Sequence, residues 1–317
     1  MLHYFALDPA ICRNLNDFRY CTEHCHPSRG RVIADLPPGQ WVSSCAEEIQ
    51  EALAASELQP IKAQSLKRRL SKLRHRILCR PGDGWSYSEN WLDDALEEHL
   101  KRPYAALVSP KLSGQAKPGC FHPDELDEET KEWRTPYSLE ITRSPGDFAA
   151  AIVPLLIPAK KVHFIDKGFS VDEDRNYISS LAEIVDGIVA AREPFPEIIF
   201  HFCPDKKRES YISGELNDRL VGHIPQDCRF TFRQWTPEDN FINKGAHPFH
   251  NRFVLTNFCG VMVGYGCDCA RHPTDSPDHL QMLDEEMRVA LWRKTEVEGF
   301  PGMREENMIV IRGTRKI

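Results

Sequence analysis

Short apolar segments alternate with amphipathic segments through the second half of the chain, and this alternation constrains the fold more than any other feature. Apolar runs of strand length predict strands over residues 161–166, 198–203, 229–235, 252–257, 260–264 and 308–312. Apolar residues at helical spacing predict helices over 147–156, 172–191, 209–220 and 276–296. Such alternation is typical of an α/β fold with a mixed, mostly parallel sheet and helices on both faces.

The first 140 residues differ in character and predict a second α/β region. Two apolar segments, 3–7 and 31–36, are each followed by a turn that contains proline, and they predict two strands. A helix is predicted over 44–54, with Ser43 or Ser44 as its N-cap. We therefore expect an N-terminal α/β region of unknown role at 1–140 and a second domain at 141–317.

A basic segment lies within the N-terminal region. Eight Lys and Arg residues occur between positions 62 and 80 without any acidic residue, and leucines at spacings of four and three predict one apolar face of a helix. Two interpretations stay open. The charges form a solvated face whose charge is balanced by the acidic helix predicted over 88–100, or they contact nucleic-acid phosphates. The candidate contact residues are Arg68, Arg69, Lys72 and Arg76.

The bulk composition limits the class of protein. A net charge of −7 over 317 residues opposes nucleic-acid binding over the whole surface and leaves room for a local basic groove. No apolar run approaches the roughly 18 residues of a membrane span. The N-terminus lacks the pattern of a signal peptide, so a cytoplasmic protein is expected. The eleven cysteines are scattered and odd in number, which favours reduced thiols over a disulfide framework.

Two groups of cysteine and histidine residues contain the side chains that zinc prefers. The first group is Cys12, Cys21, Cys25 and His26, and the second is Cys267, Cys269 and His272. Neither group has the clean paired spacing of a zinc finger, and no second pair follows at finger distance. We therefore predict neither a metal nor a cofactor.

His250 and Arg252 are the strongest candidates for a functional site. A strand that begins at Arg252 places His250 in the loop just before it, and the alternation of side chains along a strand predicts that both face the same side. An imidazole can attack phosphorus or move a proton, and a guanidinium can hold two phosphate oxygens. Gly264 and Gly266 would let the backbone approach a ligand closely, and Asp166 ends another predicted strand.

The segment from His250 resembles the H-x-K-x4-D-x6-G motif of phospholipase D-like enzymes. His250, Arg252, Asn257 and Gly264 have that spacing, with Arg in place of Lys and Asn in place of Asp. The local sequence is similar to a branch with H-D-R followed by G-x-G-x-D, which includes the domain at the C-terminus of MIT-domain proteins and bacterial relatives. Residues 165–169 also resemble the I-D-P-Y-F strand end of those relatives. The resemblance covers about residues 143–317.

The resemblance implies a metal-independent phosphodiesterase, most readily a nuclease of a bacterial defence or mobile-element system. His250 would be the nucleophile, with Arg252 and Asn257 beside it, and Asp166, Gly264, Gly266 and Asp268 would bind the phosphodiester. Enzymes of this type use a second histidine to protonate the leaving group. No second motif occurs here, so a homodimer is implied. A partner protein of the defence system is a further expectation.

The replacement of Lys and Asp leaves an alternative function open. Arg does not substitute equivalently for Lys at a phosphate clamp, and Asn257 cannot supply a negative charge to the histidine. The MIT-linked branch is associated with binding of lipid headgroups. The alternative is therefore a catalytically degenerate module that recognises phosphate groups of nucleic acid, a nucleotide or an anionic headgroup.

Overall fold

The computed structural model describes residues 1–73, 76–80, 85–88, 90–112, 118–127, 129–170, 177–191, 195–203, 212–226, 228–238, 249–269 and 277–316. The chain divides into two compact units. The first unit is Leu2–Pro136, and the second is Tyr137–Ile317 together with Met1. The boundary lies close to the position at which the sequence changes character.

The first unit is built on a five-stranded, all-parallel sheet. Its strands are β1 (His3–Leu7), β2 (Arg31–Ala34), β3 (Ile77–Leu78), β4 (Ala106–Val108) and β5 (Cys120–Phe121). Their order is β3-β2-β1-β4-β5, so the chain winds outward from β1 first in one direction and then in the other. Both strands predicted from the sequence are present. The shorter strands β3, β4 and β5 have too few residues for a periodic signal.

Four α-helices accompany this sheet in the described part of the unit. They are α1 (Leu15–His24), α2 (Trp41–Ala54), α3 (Pro60–Leu70) and α4 (Trp91–Lys101). Helix α2 begins before the predicted start, and its N-cap position is Gln40, so the prediction of Ser43 or Ser44 as cap is wrong. Trp41 explains the earlier start, because its indole N–H donates to the carbonyl of Leu7 over 2.6 Å and fixes the first turn on β1.

The basic helix is shorter than the spacing of its leucines predicts. Helix α3 ends at Leu70, and Ile77 belongs to strand β3. Ala63, Leu66 and Leu70 form its buried face. Lys72 and Arg76 therefore lie beyond the helix.

The second unit is built on an eight-stranded mixed sheet in the order β13-β9-β8-β7-β10-β11-β12-β6. The strands are β6 (Ser138–Thr142), β7 (Lys161–Ile165), β8 (Glu197–Phe202), β9 (Arg229–Pro237), β10 (Arg252–Thr256), β11 (Gly260–Val263), β12 (Pro277–Met282) and β13 (Met303–Arg312). The helices are α5 (Pro145–Leu156), α6 (Tyr177–Ala191), α7 (Ile212–Leu220) and α8 (Glu285–Arg293). The α/β class with a mixed sheet is confirmed.

The direction of pairing differs from the expectation of a mostly parallel sheet in this second unit. Strands β7, β8 and β9 are parallel neighbours. The other pairings between the described strands are antiparallel. The tight β10–β11 connection explains part of this difference, because a short turn can join only antiparallel strands.

The predicted helix over 276–296 is wrong in its first half. Residues 277–282 form β12, whose side chains alternate between exposed and buried along the strand. Asp284 then caps α8 by accepting a hydrogen bond from the backbone N–H of Met287 over 2.7 Å. The leucines at positions 280 and 283 have helical spacing by coincidence, since one lies in the strand and the other in the turn before the helix.

The core of the second unit is centred on its parallel strands. Phe164, Phe200 and Phe232 lie opposite one another on β7, β8 and β9. Their ring centroids are 4.6 Å and 4.9 Å apart, and all three side chains are buried. Buried aromatic pairs across strands contribute about 0.5–1.5 kcal/mol each beyond the burial of their surface. This stack fixes the register of the strands that lead to the candidate site. No helix in the described ranges is both long and apolar enough to cross a membrane.

Candidate phosphate-binding site

One edge of the eight-stranded sheet, the one formed by the ends of its inner strands, brings together most of the residues that the sequence singles out. Strand β10 runs antiparallel to β7 and β11, with Phe253 opposite Ile165 and Arg252 opposite Val263. The carboxyl ends of β7 and β11 therefore meet the amino end of β10. Asp166, Arg252 and the segment from Gly264 lie at this edge.

Asp166 is the buried anchor of the site. Its carboxylate accepts hydrogen bonds from the backbone N–H groups of Gly168 (2.8 Å) and Cys267 (2.9 Å) and from the hydroxyl of Tyr177 (3.0 Å). The residue is only 1% exposed. Burial raises the pKa of Asp166, and these hydrogen bonds and the charge of Arg252 oppose that rise. Asp166 thus ties the end of β7 to the loop after β11.

Arg252 points toward Asp166 and remains open to solvent. Its Nε lies 3.7 Å from the carboxylate Oδ1 of Asp166, and its Nη1 donates to the carbonyl of Gly264 over 3.3 Å. The side chain is 32% exposed. The Nε atom itself is buried and has no hydrogen-bond partner among the described residues. The guanidinium is therefore held on one side and keeps donors available for a ligand.

The two predicted glycines leave room for buried carboxylates that pack closely against the backbone. Gly266 has φ of 111°, and a Cβ there would lie 2.6 Å from Oδ2 of Asp166. A Cβ on Gly264 would lie 2.6 Å from Oδ1 of Asp278. A side chain at either position would displace a buried carboxylate, and at Gly266 the positive φ disfavours any other residue as well. The close approaches seen at these two glycines are to the protein's own carboxylates, and a close approach to a ligand stays a prediction.

Asp268 pairs with a residue that the sequence did not indicate. Its Oδ1 accepts from Nη2 of Arg143 over 2.7 Å, and both side chains are 14% exposed. Arg143 also lies over the ring of Tyr265, 5.0 Å from its centroid. The carboxylate that lies near Arg252 is that of Asp166, 3.7 Å from its Nε.

Asp278 is a second buried carboxylate that sequence reasoning missed. It accepts hydrogen bonds from the backbone N–H groups of Tyr265 (3.1 Å) and His279 (2.7 Å). Burial raises its pKa, and those bonds and the charge of Arg143 lower it in part. The sequence does not single out Asp278, because the apolar spacing over 276–296 predicts a helix there instead of strand β12. Tyr177 and Arg143 carry no local motif, and their roles depend on contacts with distant residues.

His250 lies next to this edge, in a bend before β10. Phe249, directly before it, is fully buried and packs against Phe300 with ring centroids 4.5 Å apart. This packing anchors the backbone at a residue adjacent to His250, whose own side chain is exposed. His250 makes no hydrogen bond or ion pair within the described ranges. Because β10 begins only at Arg252, strand alternation does not extend to His250.

Asn257 lies at the opposite end of β10 from Arg252, and the structure does not bring it into the group. Its Oδ1 accepts from the backbone N–H of Lys160 over 2.9 Å. Its backbone carbonyl accepts from Arg288 over 3.4 Å. At about 3.3 Å per residue, five residues of strand separate the two positions by roughly 16 Å. The prediction that Asn257 lies beside the histidine is therefore wrong.

The basic candidates of the first unit are divided in their contacts. Arg69 pairs with Glu23 over 2.8 Å, and Arg76 donates to the carbonyl of Thr22 over 3.4 Å. Arg68 and Lys72 are exposed. Arg69 and Arg76 thus contact other residues of the first unit, and the exposed Arg68 and Lys72 remain the candidates for contact with an anionic partner.

The cysteine and histidine groups do not converge on a metal geometry within the part of the chain that is described. No cluster of three or more His, Cys, Asp or Glu side chains there is arranged to hold a metal ion. Cys21 and Cys25 are fully buried, and Nδ1 of His26 lies 2.7 Å from the hydroxyl of Ser28. His272 lies outside the described residues.

Comparison with known proteins provides little further information. No protein-family model matches the chain, and no curated protein matches it significantly. One similar solved structure is that of TrmBL2, described as an archaeal chromatin protein with a novel mode of DNA binding. The match has 11% identity and a TM-score of 0.26, and covers 53% of this chain and 52% of that one. The chain thus spans about half the length of that protein, and the similarity carries no argument about fold or function.

Proposed function

We propose that the second unit is a phospholipase D-like domain that recognises phosphodiesters through Arg252. The observation that carries this proposal is the guanidinium at the sheet edge, oriented by Asp166 and the carbonyl of Gly264 and still 32% exposed. A guanidinium presents paired N–H donors that match two phosphate oxygens. The neighbouring carboxylates are already occupied. Asp166 and Asp278 accept backbone N–H groups, and Asp268 is paired with Arg143.

The geometry favours recognition over turnover. Arg252 has an internal carboxylate that orients it, whereas His250 has no carboxylate or carbonyl partner within the described residues. A nucleophilic or basic histidine normally needs such a partner to fix its tautomer. Asn257, the residue that the family motif would assign near this place, lies at the far end of the strand. A binding module is therefore the first candidate.

Hydrolysis is the second candidate, and the exposure of His250 favours it. An unengaged imidazole beside a phosphate-binding arginine can attack phosphorus, forming a phosphohistidine as the bond to the leaving oxygen breaks. The leaving oxygen would take its proton from the equivalent histidine of a second copy, and water would then release the phosphate. Such a protein would be a metal-independent nuclease of a defence or mobile-element system.

Binding is tested by the affinity of the full chain for a labelled single-stranded oligonucleotide, measured by fluorescence anisotropy at several salt concentrations. Arg252→Ala should weaken binding by roughly tenfold or more, since a hydrogen bond to a charged group contributes about 1.5–3 kcal/mol. Arg312→Ala is the matched control, because Arg312 is an exposed arginine on an edge strand of the same sheet. Equal affinity of the Arg252 variant and the control would reject the proposal.

Turnover is tested on the same oligonucleotide in the presence of EDTA. If the second candidate holds, cleavage persists with EDTA and disappears in His250→Ala, while the affinity of that variant stays near the wild-type value. Cleavage that needs a metal, or that survives His250→Ala, would exclude His250 as the nucleophile. Binding without cleavage leaves recognition as the function.

A further inference from the structure

A cleft of about 320 Å³ opens in the first unit at the carboxyl edge of its parallel sheet. Asp8 and Pro9 follow β1, and Pro37 follows β2, so the floor of the cleft is formed where two adjacent parallel strands end. The strand order reverses at β1, whose neighbours are β2 on one side and β4 on the other. In doubly wound sheets this is the place at which ligands bind. The volume is in the range of small-molecule sites.

Aromatic rings form one side of this cleft. Trp85, Tyr87 and Trp91 line it, and the rings of the two tryptophans lie 6.0 Å apart at 49°. The indole N–H of Trp91 donates to the carbonyl of Leu36 over 2.9 Å, which fixes this ring against the end of β2. Tyr87 is 63% exposed and has φ of 52°, a conformation that a non-glycine residue rarely adopts. Residues in such sparsely populated backbone conformations cluster at active and ligand-binding sites.

Carboxylates of helix α2 form the facing side. Glu47, Glu48 and Glu51 lie on one face of the helix and line the cleft. Glu48 and Glu51 share Arg13, with contacts of 2.5 Å and 2.7 Å. Glu47 makes no ion pair in the described part of the chain. Because no Lys or Arg is among the described residues that line the cleft, its inner surface is acidic and aromatic.

The first turn after β1 disfavours an anionic ligand. Nucleotide-binding sheets place glycines in this turn, and the ligand's phosphate accepts the N–H groups of the following helix. Here the sequence is Asp8-Pro9-Ala10. The Asp8 carboxylate, 1% exposed, accepts the N–H of Ala10 over 2.9 Å and the hydroxyl of Ser109 over 2.6 Å. The protein's own carboxylate thus occupies the position that a phosphate would take.

We infer that this cleft binds an organic cation, an ammonium or guanidinium group carried on a small ligand. Tryptophan faces attract cations through the ring quadrupole, and a carboxylate of α2 that is not already paired with Arg13 can neutralise the charge. Glu47, which has no ion pair among the described residues, is the specific partner for the ligand's charge. The cleft belongs to the first unit, so this site is independent of the phosphate site proposed for the second.

Choline and methylguanidinium are suitable probes, with the uncharged isostere 3,3-dimethylbutan-1-ol as the matched control ligand. Each is titrated into the full chain, with tryptophan fluorescence and calorimetry as readouts. At least one cation should bind about tenfold more tightly than the isostere. Glu47→Gln and Trp85→Leu should each weaken that binding by about three- to tenfold, and Trp85→Phe should restore part of it.

Glu129→Gln is the control variant, because Glu129 is an exposed acid of the same unit outside the cleft. It should bind the cation as the wild type does. The inference is overturned if neither cation binds, if the isostere binds as tightly, or if Glu47→Gln leaves the affinity unchanged. Binding of inorganic phosphate to this cleft with similar affinity, lost in Trp85→Leu, would overturn it as well.

Discussion

A buried chain of hydrogen bonds in the second unit predicts a specific loss of stability in acid. The indole N–H of Trp235 lies 3.2 Å from Nδ1 of His201, and Nε2 of His201 lies 2.9 Å from Nδ1 of His163. Oε1 of Glu296 lies 2.9 Å from Nε2 of His163. An indole N–H can only donate, so Nδ1 of His201 accepts and the proton of this neutral imidazole lies on Nε2. His201 then donates that proton to Nδ1 of His163, so the proton of neutral His163 lies on Nε2 as well. Both histidines are at most 1% exposed.

The size of this loss of stability follows from the pKa of His163. Burial lowers the pKa of His163 from 6.5 to about 4, against the opposing pull of Glu296. A histidine with a lowered folded-state pKa stabilises the fold above the unfolded value, and that stability is lost as pH falls toward the folded value. One pKa unit corresponds to about 1.4 kcal/mol, so lowering the pH from about 7.5 to about 5 costs roughly 2 kcal/mol through His163 alone. Burial also lowers the pKa of His201, which adds to this loss.

The assay is urea unfolding of the full chain at both pH values, followed by circular dichroism. His163→Gln should reduce the pH-dependent part of the unfolding free energy by about 2 kcal/mol, whatever its effect at neutral pH. His223→Gln, a half-buried histidine of the same unit, is the control and should keep the wild-type dependence. A chain of two compact units can unfold in more than one transition, and the transition that responds to the variant then identifies the second unit. An identical pH dependence in wild type and His163→Gln would refute the reasoning.

Three further predictions concern the site and its support. Gly266→Ala should destabilise the second unit by about 2 kcal/mol or more, measured by urea unfolding, because φ of 111° and the nearby Asp166 carboxylate exclude a Cβ; an unchanged midpoint would contradict this. Phe200→Ala should cost about 3–5 kcal/mol through the cavity left in the aromatic stack, and a loss below about 1 kcal/mol would show that the stack is loosely packed. Arg143→Ala should weaken oligonucleotide binding less than Arg252→Ala does, since Arg143 is paired with Asp268 and only 14% exposed; a larger effect in the anisotropy assay would make Arg143 the main phosphate ligand.

The sequence predicts the elements of this chain better than their pairing. Strands β7 and β8 are visible as apolar runs because both of their faces are covered. Nothing in such a run specifies a parallel or an antiparallel neighbour, so the predominance of antiparallel pairs in the eight-stranded sheet was not predictable from it. Strand β12 was missed because leucines at positions 280 and 283 imitate a helical period, while its partner β6 lies far away in the sequence.

The candidate site was predictable where its residues flank apolar strands, and not where a residue has no local signal. Arg252 and Asp166 stand out as polar residues at the margins of apolar strands, and the structure joins them. The motif spacing placed Asn257 with them, but one strand length separates the two ends of β10. Arg143 approaches Asp268 across 125 positions in the sequence, a contact that no local pattern encodes.

The central claim, that Arg252 binds the phosphate of a phosphodiester, is tested most directly by following its guanidinium in solution. In a ¹⁵N-labelled chain, the Nε–H resonance of Arg252 can be assigned by its loss in Arg252→Lys and then monitored during titration with dimethyl phosphate. We predict a saturable shift of this resonance while that of Arg312 stays unchanged. A resonance of Arg252 that does not move, or that moves together with that of Arg312, would contradict the account.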